Sequence, residues 1–202
     1  MTEFKIFLYI IIIFSAIFHE FFHAWMANIL GDPTAKYAGR LTLNPLKHID
    51  PIGTVIIPLF LLFFAGAFIG WAKPVPYNPR NFRDQKWGST KVALVGPGAN
   101  FLIALVFACL IRFVPIAASF YIAISWIIYI NIFLALFNLI PIPPLDGSKL
   151  LMDLFPKQAR QFLQMSFVGI FLALFIAILI LPPIAQFIYK IFAGTGFTPY
   201  IF

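Results

Sequence analysis

The chain has 202 residues, of which 62% are hydrophobic and 10% are charged, whereas an ordinary soluble domain has about 25% charged residues. This composition excludes a water-soluble globule, because too few polar side chains are available to cover its surface, and it predicts a membrane protein. The formal net charge of +7 does not indicate a nucleic-acid partner, since the basic residues lie in short connections between apolar runs, where they set membrane orientation.

Cysteine usage limits the kinds of site that the chain can build. Cys109 is the only cysteine, so a disulfide within the chain is excluded, and so is a metal site made of cysteines. A metal ion bound by this chain must therefore be held by histidine and carboxylate ligands.

Five apolar stretches follow one another along the chain. They lie at 5–28, 52–70, 92–115, 120–142 and 165–190. All except 52–70 reach or approach the ~20 residues that a spanning helix needs. We therefore predict an all-α polytopic membrane protein with about four spanning helices, in which residues 1–202 form a single domain.

The first stretch, 5–28, imitates the apolar core of a signal peptide. Only Lys5 precedes the core as a basic residue, and no clear small-residue cleavage site follows it. We therefore predict that this stretch is a retained membrane helix.

The same stretch contains the motif His19-Glu20-Phe21-Phe22-His23. Residues four apart lie on one face of a helix, so the two imidazoles can converge on one point. They supply two of the three protein ligands that a catalytic zinc ion usually has, and Glu20 is close enough to act as a base toward water. Because ionisable side chains at membrane depth are expensive and by default functional, the motif predicts a catalytic zinc site.

The second stretch, 52–70, is the least regular of the five. Pro51 precedes it, Pro58 lies inside it, and small residues interrupt its end. These features predict a broken or re-entrant segment. If the segment returns to the side it left, most of the 14 basic residues share one membrane face, and the positive-inside rule places that face in the cytoplasm with both termini outside.

A third metal ligand must come from outside the motif. The candidates are His48, Asp50, Asp84, Asp146 and Asp153. Asp146 follows three prolines that must unwind a helix at the membrane edge, where a carboxylate can turn inward, although a solvated turn aspartate is the alternative. Asp146 and the histidine pair each lie toward the C-terminal end of an apolar stretch. The two stretches can share a metal ion only if they run in the same direction, which a re-entrant 52–70 allows.

Three further polar residues are candidates for contact with substrate or for support of the site. Asn100 ends a G-P-G-A-N run whose small residues permit close helix packing in a bilayer, and packing alone explains the glycines. Asn138 precedes the prolines that lead to Asp146. His48 lies in a loop, where a capping or surface role is more usual.

Three motifs occur in order: H-E-x-x-H at 19–23, G-P-x-x-N at 96–100 and N-x-x-P-x-x-x-x-D-G at 138–147. In this combination the chain resembles the site-2 protease family of intramembrane zinc metalloproteases, in its compact prokaryotic branch without a PDZ or CBS domain. The resemblance implies one Zn²⁺ per chain, held by His19, His23 and Asp146, with Glu20 as the general base.

The resemblance also implies a substrate and a location. The substrate would be a transmembrane protein or peptide, and the enzyme would be a multi-pass protein of the prokaryotic cell membrane with its active site toward the cytoplasmic side. The family's re-entrant β element fits the region 31–51, which gives an expected short β element near 38–46.

Two other classes of function remain open from the residues alone. A metal or proton transporter should carry ionisable residues on several stretches, but 92–115 and 165–190 have almost none beyond their ends. A catalytically inactive membrane scaffold is the other alternative, and the intact Glu20 argues against it.

Overall fold

The computed structural model describes residues 2–64, 73–158, 163–164, 166–197 and 199, which form helices and connecting loops without a β-strand. The chain divides into two units, Met1–Gly88 and Ser89–Phe202. The first unit carries the H-E-x-x-H motif, and the second carries most of the apolar helices.

The first unit is built on helix α1, Thr2–Ile29. Its 28 residues give a length of about 42 Å, which exceeds the ~30 Å hydrocarbon thickness of a bilayer. The helix ends at Ile29 and a turn follows it at Gly31, whose φ of 106° is a left-handed conformation that glycine adopts at little cost. A short helix α2, Thr34–Tyr37, follows and packs against α1.

The short β element expected near 38–46 is absent, and that prediction is wrong. These residues form a turn, a bend and the start of the 3₁₀ helix Pro45–Lys47. Gly39 has a φ of 66°, and the Asn44 side chain accepts a hydrogen bond from the backbone of Leu46 at 3.1 Å. Both features turn the backbone within a few residues, so it does not stay extended long enough to pair as a strand.

The stretch predicted at 52–70 begins as a π-helix, Pro51–Ile56, and continues as helix α3, Ile57–Phe64. The Tyr9 hydroxyl of α1 donates to the carbonyl of Thr54 and ties this segment to the first helix. Residues 65–70 of the stretch, and the two residues after it, lie outside the described residues.

The two ends of this segment meet. The backbone N–H of Lys73 donates to the carbonyl oxygen of His48 at 3.0 Å. A single crossing would separate these residues by about 30 Å, the thickness of the hydrocarbon core. The two ends of the segment therefore lie next to each other, which favours the re-entrant path over a single crossing.

The second unit contains α4 (Gly88–Phe113) except for its first residue, and also α5 (Ala118–Leu139), α6 (Gly147–Leu154), α7 (Ser166–Leu179) and α8 (Leu181–Ala193). Helices α1, α4 and α5 are each long and apolar enough to cross a membrane, and α7 with α8 adds a fourth crossing if the bent pair is one span. The prediction of an all-α polytopic membrane protein with about four spanning helices is confirmed.

The last apolar stretch, predicted as one run at 165–190, is bent by 54° between α7 and α8. Pro182 and Pro183 lie in the first turn of α8, where the missing N–H groups of proline are tolerated. The two prolines indicate a break at this point of the sequence, whereas the hydropathy of 165–190 predicts one continuous run.

Candidate metal centre

His19 and His23 lie one turn apart on α1, and their Nε2 atoms are 2.9 Å apart. The rings are nearly perpendicular, with an angle of 88° between their planes, and each side chain is 7% exposed. Two nitrogens bound to one tetrahedral zinc ion lie about 3.3 Å apart. A small rotation of either ring reaches that spacing, so the pair fits two ligand positions of one metal ion.

The face of α1 that carries the two histidines is buried from residue 11 to residue 27. Residues at spacing four, Ile11, Ser15, His19, His23 and Ala27, are all less than 9% exposed. The opposite face carries large exposed apolar side chains, including those of residues 14, 18 and 25. This division points the polar motif to the protein interior and the aromatic side chains to lipid, which is where a membrane helix can keep ionisable groups.

Glu20 lies beside the histidine pair, and its carboxylate is held by the backbone. The Oε2 atom accepts a hydrogen bond from the N–H of Val75 at 2.8 Å. Val75 belongs to the segment 73–78, which has no regular secondary structure and is far from α1 in sequence. No sequence pattern indicates this contact, because a backbone donor can come from any residue except proline.

Asp32 fixes the other end of the segment 73–78. This fully buried carboxylate accepts hydrogen bonds from the Asn78 N–H at 2.6 Å, the Asn81 side-chain amide at 2.8 Å and the Thr34 hydroxyl at 2.5 Å. Burial raises the pKa of Asp32, but these hydrogen bonds together outweigh it and lower the pKa below its ordinary value. Asp32 therefore stays ionised at neutral pH. In the sequence, Asp32 stands in a Gly-Asp-Pro run that is typical of a turn, and no pattern indicates its contact with Asn78.

Three of the candidate third ligands accept hydrogen bonds at helix N-termini. Asp50 accepts from two backbone N–H groups of the π-helix, at 3.1 and 2.6 Å. Asp84 accepts from two N–H groups immediately before α4, at 3.1 and 2.9 Å. Asp153 accepts from the N–H and the hydroxyl of Thr90 in α4, at 2.9 and 2.8 Å. These carboxylates stabilise helix starts, where N–H groups have no partner within the helix.

His48 is 1% exposed, so it is a buried loop residue and not a surface group. Its Nε2 atom lies 2.7 Å from the carbonyl oxygen of Thr42. Its Nδ1 atom is buried without a hydrogen-bond partner among the described residues. A role beside the metal centre remains a prediction for this residue.

Asp146 lies immediately before α6, in the second unit, and is partly buried. Its side chain makes no capping hydrogen bond to α6, unlike the three carboxylates above. The following Gly147 is packed against the end of α5, since a Cβ atom there would lie 2.2 Å from the carbonyl oxygen of Leu139. Only glycine permits this close approach, which explains the Asp-Gly pair of the motif.

Asn100 and Asn138 are both engaged with α5. The Asn100 side chain donates to Asn131 Oδ1 at 2.9 Å, and both residues are fully buried. This contact joins α4 to α5 and gives the amide the partner it needs in an apolar environment. Asn138 donates to the carbonyl oxygen of Leu134, one turn earlier, at 3.0 Å. A contact of either residue with substrate remains a prediction.

Comparison with known proteins identifies the family. Residues 115–182 match the model of "Peptidase family M50". The YwhC protein of Bacillus subtilis, named "Putative zinc metalloprotease", is 39% identical over 164 residues, which cover 76% of this chain and 71% of the relative. No solved structure matches the chain.

Two further relatives share that printed description. Rip2 of Mycolicibacterium smegmatis is 33% identical over 135 residues, which cover 66% of this chain and 51% of the relative. A protein of Methanocaldococcus jannaschii is 34% identical over 139 residues, covering 67% of this chain and 63% of the relative. The chain thus spans about half the length of Rip2 and most of YwhC. It belongs to peptidase family M50, the site-2 protease family of zinc metalloproteases.

Proposed function

We propose that this zinc metalloprotease hydrolyses peptide bonds of membrane-embedded substrates, with His19, His23 and Asp146 holding one Zn²⁺ and Glu20 acting as the general base. The observation that carries the proposal is the 2.9 Å approach of two buried imidazole nitrogens. The Glu20 carboxylate lies on the same turn of α1, and α1 is long and apolar enough to span a membrane.

The assignment of Asp146 is supported by what the other candidates do. Asp50, Asp84 and Asp153 accept hydrogen bonds at helix starts, whereas Asp146 does not cap the helix it precedes. Membrane topology adds a second argument. With a re-entrant segment after α1, α4 is the only crossing between α1 and α5, so the C-terminal ends of α1 and α5 face the same side of the membrane.

The residues divide the chemistry between them. A bound zinc ion supplies a Lewis acid that polarises the scissile carbonyl and makes water more acidic. Glu20 takes the proton from the attacking water and then gives it to the leaving amine. The buried face of α1 keeps these groups away from lipid, so water must reach them through a polar path within the protein.

The proposed location is the cell membrane of a prokaryote, with the site toward the cytoplasm. The loops at 31–50 and 73–87 carry basic residues such as Lys36, Lys47, Arg80 and Lys86. The positive-inside rule places such loops in the cytoplasm. His19 and His23 lie toward the end of α1 that enters the first of these loops, so the site lies nearer the cytoplasmic face.

We also propose that residues 1–202 act as one metalloprotease domain. The motif with the two histidines and Glu20 lies in the first unit, and Asp146 lies in the second. The three proposed ligands and the base are spread from residue 19 to residue 146 of the sequence, so no short part of the chain contains all four.

The proposal is tested with purified protein in detergent and a peptide that contains a transmembrane sequence. Glu20→Gln removes the base and leaves all three proposed ligands in place. We expect full zinc content and a loss of cleavage of about 10²- to 10⁴-fold, the usual contribution of a general base. Glu3→Gln is the matched control, because Glu3 is the only other glutamate and is exposed at the start of α1. Cleavage by Glu20→Gln at the rate of Glu3→Gln would remove Glu20 from the mechanism.

A further inference from the structure

The contact between Glu20 and the backbone of Val75 has a function that the family assignment does not supply. We propose that the Val75 N–H is a positioning group that holds the Glu20 carboxylate in the orientation needed for proton transfer. The inference rests on the proposed role of Glu20 as the base. It is carried by one hydrogen bond of 2.8 Å between groups 55 residues apart in the chain.

The donor is presented by a backbone that is fixed on both sides of it. Two residues before, Lys73 donates its N–H to the carbonyl oxygen of His48 at 3.0 Å. Three residues after, Asn78 donates its N–H to the buried carboxylate of Asp32 at 2.6 Å. Neither anchor involves Glu20, so the position of the Val75 N–H does not depend on the group that it holds.

The flanking prolines add to this rigidity. Val75 lies between Pro74 and Pro76, each of which has a fixed φ near −65°, and a residue before proline is restricted to extended conformations. The segment therefore loses little conformational entropy when it is ordered. A glutamate side chain, by contrast, has several rotatable bonds and loses rotamer freedom when it is held in place.

The two oxygens of the Glu20 carboxylate have different roles in this proposal. Oε2 accepts the N–H of Val75, so Oε1 is the atom that receives the proton of the attacking water. Hydrogen bonds to charged groups are stronger than those between neutral groups. The contact therefore selects one rotamer of the base without occupying both oxygens.

A purely structural role of this hydrogen bond would be to attach the segment 73–78 to α1. A structural role and a positioning role have different consequences. Loss of a structural contact would affect folding and substrate binding, whereas loss of a positioning group affects the rate of the chemical step. Measurements of the hydrogen bond itself and of kcat against KM separate them.

The first experiment measures backbone amide exchange in the full-length protein in detergent. Prolines have no N–H, so Val75 carries the only exchangeable amide between residues 73 and 77, and fragments that cover this segment report it directly. We expect Glu20→Ala to speed exchange at Val75 by about tenfold or more, because the acceptor is lost. Glu20→Gln should retain the protection, since its amide oxygen can still accept the hydrogen bond.

Asn78 is the internal control for this experiment. Its N–H is held by Asp32, so its exchange should be the same in the wild-type protein and in both Glu20 variants. Fast exchange at Asn78 in Glu20→Ala would mean that the variant has not folded. The proposal would then be tested by the second experiment, which changes Val75 instead of Glu20. Equal exchange at Val75 in folded Glu20→Ala and wild type would overturn the proposal.

The second experiment removes the donor. Val75→Pro eliminates the N–H and keeps an extended backbone, while Val75→Ala keeps the N–H and removes only the side chain. We expect Val75→Pro to lower kcat by about 10- to 100-fold, which corresponds to the loss of one hydrogen bond to a charged group. KM and zinc content should be unchanged, and Val75→Ala should have a kcat at least tenfold above that of Val75→Pro.

These outcomes also separate this inference from the proposed function. Wild-type kcat in Val75→Pro, or equally low kcat in both Val75 variants, would exclude a positioning role for the N–H. Absence of cleavage by the wild-type protein would instead contradict the proposed function. In that case the exchange measurement would still report whether the hydrogen bond exists.

Discussion

Individual side chains determine the chemistry that this membrane helix can perform. His19, Glu20 and His23 occupy one turn of α1, so their proximity follows from the 3.6-residue period of a helix alone. Partners that lie far apart in the sequence are different. Glu20 meets Val75 across 55 residues, and Asp32 meets Asn78 across 46. No periodicity links such pairs, so the sequence predicted the motif but not the groups that hold its carboxylate.

The role of Asp146 gives a prediction at the scale of one residue. Asp146→Ala should lower zinc affinity by at least about 100-fold. Removal of a group that only orients a metal ligand lowers metal affinity by about 10- to 100-fold, and removal of the ligand itself should lower it further. Metal analysis after dialysis against a weak chelator measures the effect in purified protein.

Asp153→Ala is the control for this measurement. Asp153 lies in α6, the helix that begins directly after Asp146. The Asp153 carboxylate caps the start of α4. Its loss should lower thermal stability by about 1 kcal/mol and leave the zinc content unchanged. If Asp146→Ala retains as much zinc as Asp153→Ala and the wild-type protein, Asp146 is not a ligand.

Elements of secondary structure were predicted well where hydropathy alone defines them. The stretches at 5–28, 92–115 and 120–142 correspond to α1, α4 and α5, because a run of about 20 apolar residues has few stable forms other than a spanning helix. Local turn signals decide the structure where hydropathy does not. Gly39 and the Asn44-Pro45 pair prevent a strand near 38–46, although a resemblance to a known family had suggested one.

Helix α7 lies beyond the three sequence motifs, yet it packs against the loop that leads to Asp146. A Cβ atom at Gly169 would lie 2.3 Å from the carbonyl oxygen of Pro143 and 2.8 Å from the Ile142 side chain. Ala173 and Ala177, further along the same face, are buried with Ile140 and Leu145. The small residues of α7 thus allow this helix to support the loop, a function that hydropathy does not reveal.

This packing predicts a difference between two glycines in spanning helices. Gly169→Ala should destabilise the protein by about 1–3 kcal/mol, because the new methyl group overlaps the backbone of Pro143. Gly98→Ala is the matched control in α4, where a Cβ atom would meet nothing within 4 Å. That change should be neutral or stabilising by up to ~1 kcal/mol, since alanine favours helix more than glycine does. Thermal unfolding in detergent measures both, and equal melting temperatures would contradict the packing argument.

At the scale of the whole molecule, the number of crossings decides which loops share a membrane face. The sequence predicted a re-entrant path for the segment after α1 from its prolines and from the distribution of basic residues. The hydrogen bond between Lys73 and His48 supports that path on independent grounds, because it joins the two ends of the segment. Charge asymmetry and backbone geometry thus agree, although neither contains information about the other.

The re-entrant path predicts the result of a labelling experiment in intact cells. Cys109 is first replaced by serine, and single cysteines are then introduced at the exposed residues Lys36, Arg80 and Phe113. The first two positions lie in the loops on either side of the re-entrant segment, and Phe113 ends α4, one crossing later. A membrane-impermeant maleimide should label the cysteine at 113 and leave those at 36 and 80 protected until the cells are lysed, because the basic loops are cytoplasmic.

Labelling at 36 and 80 with opposite accessibility would mean that the segment crosses the membrane. Because α4 would then be a second crossing between α1 and α5, the C-terminal ends of these helices would face opposite sides, and Asp146 could not bind the same metal ion as the histidine pair.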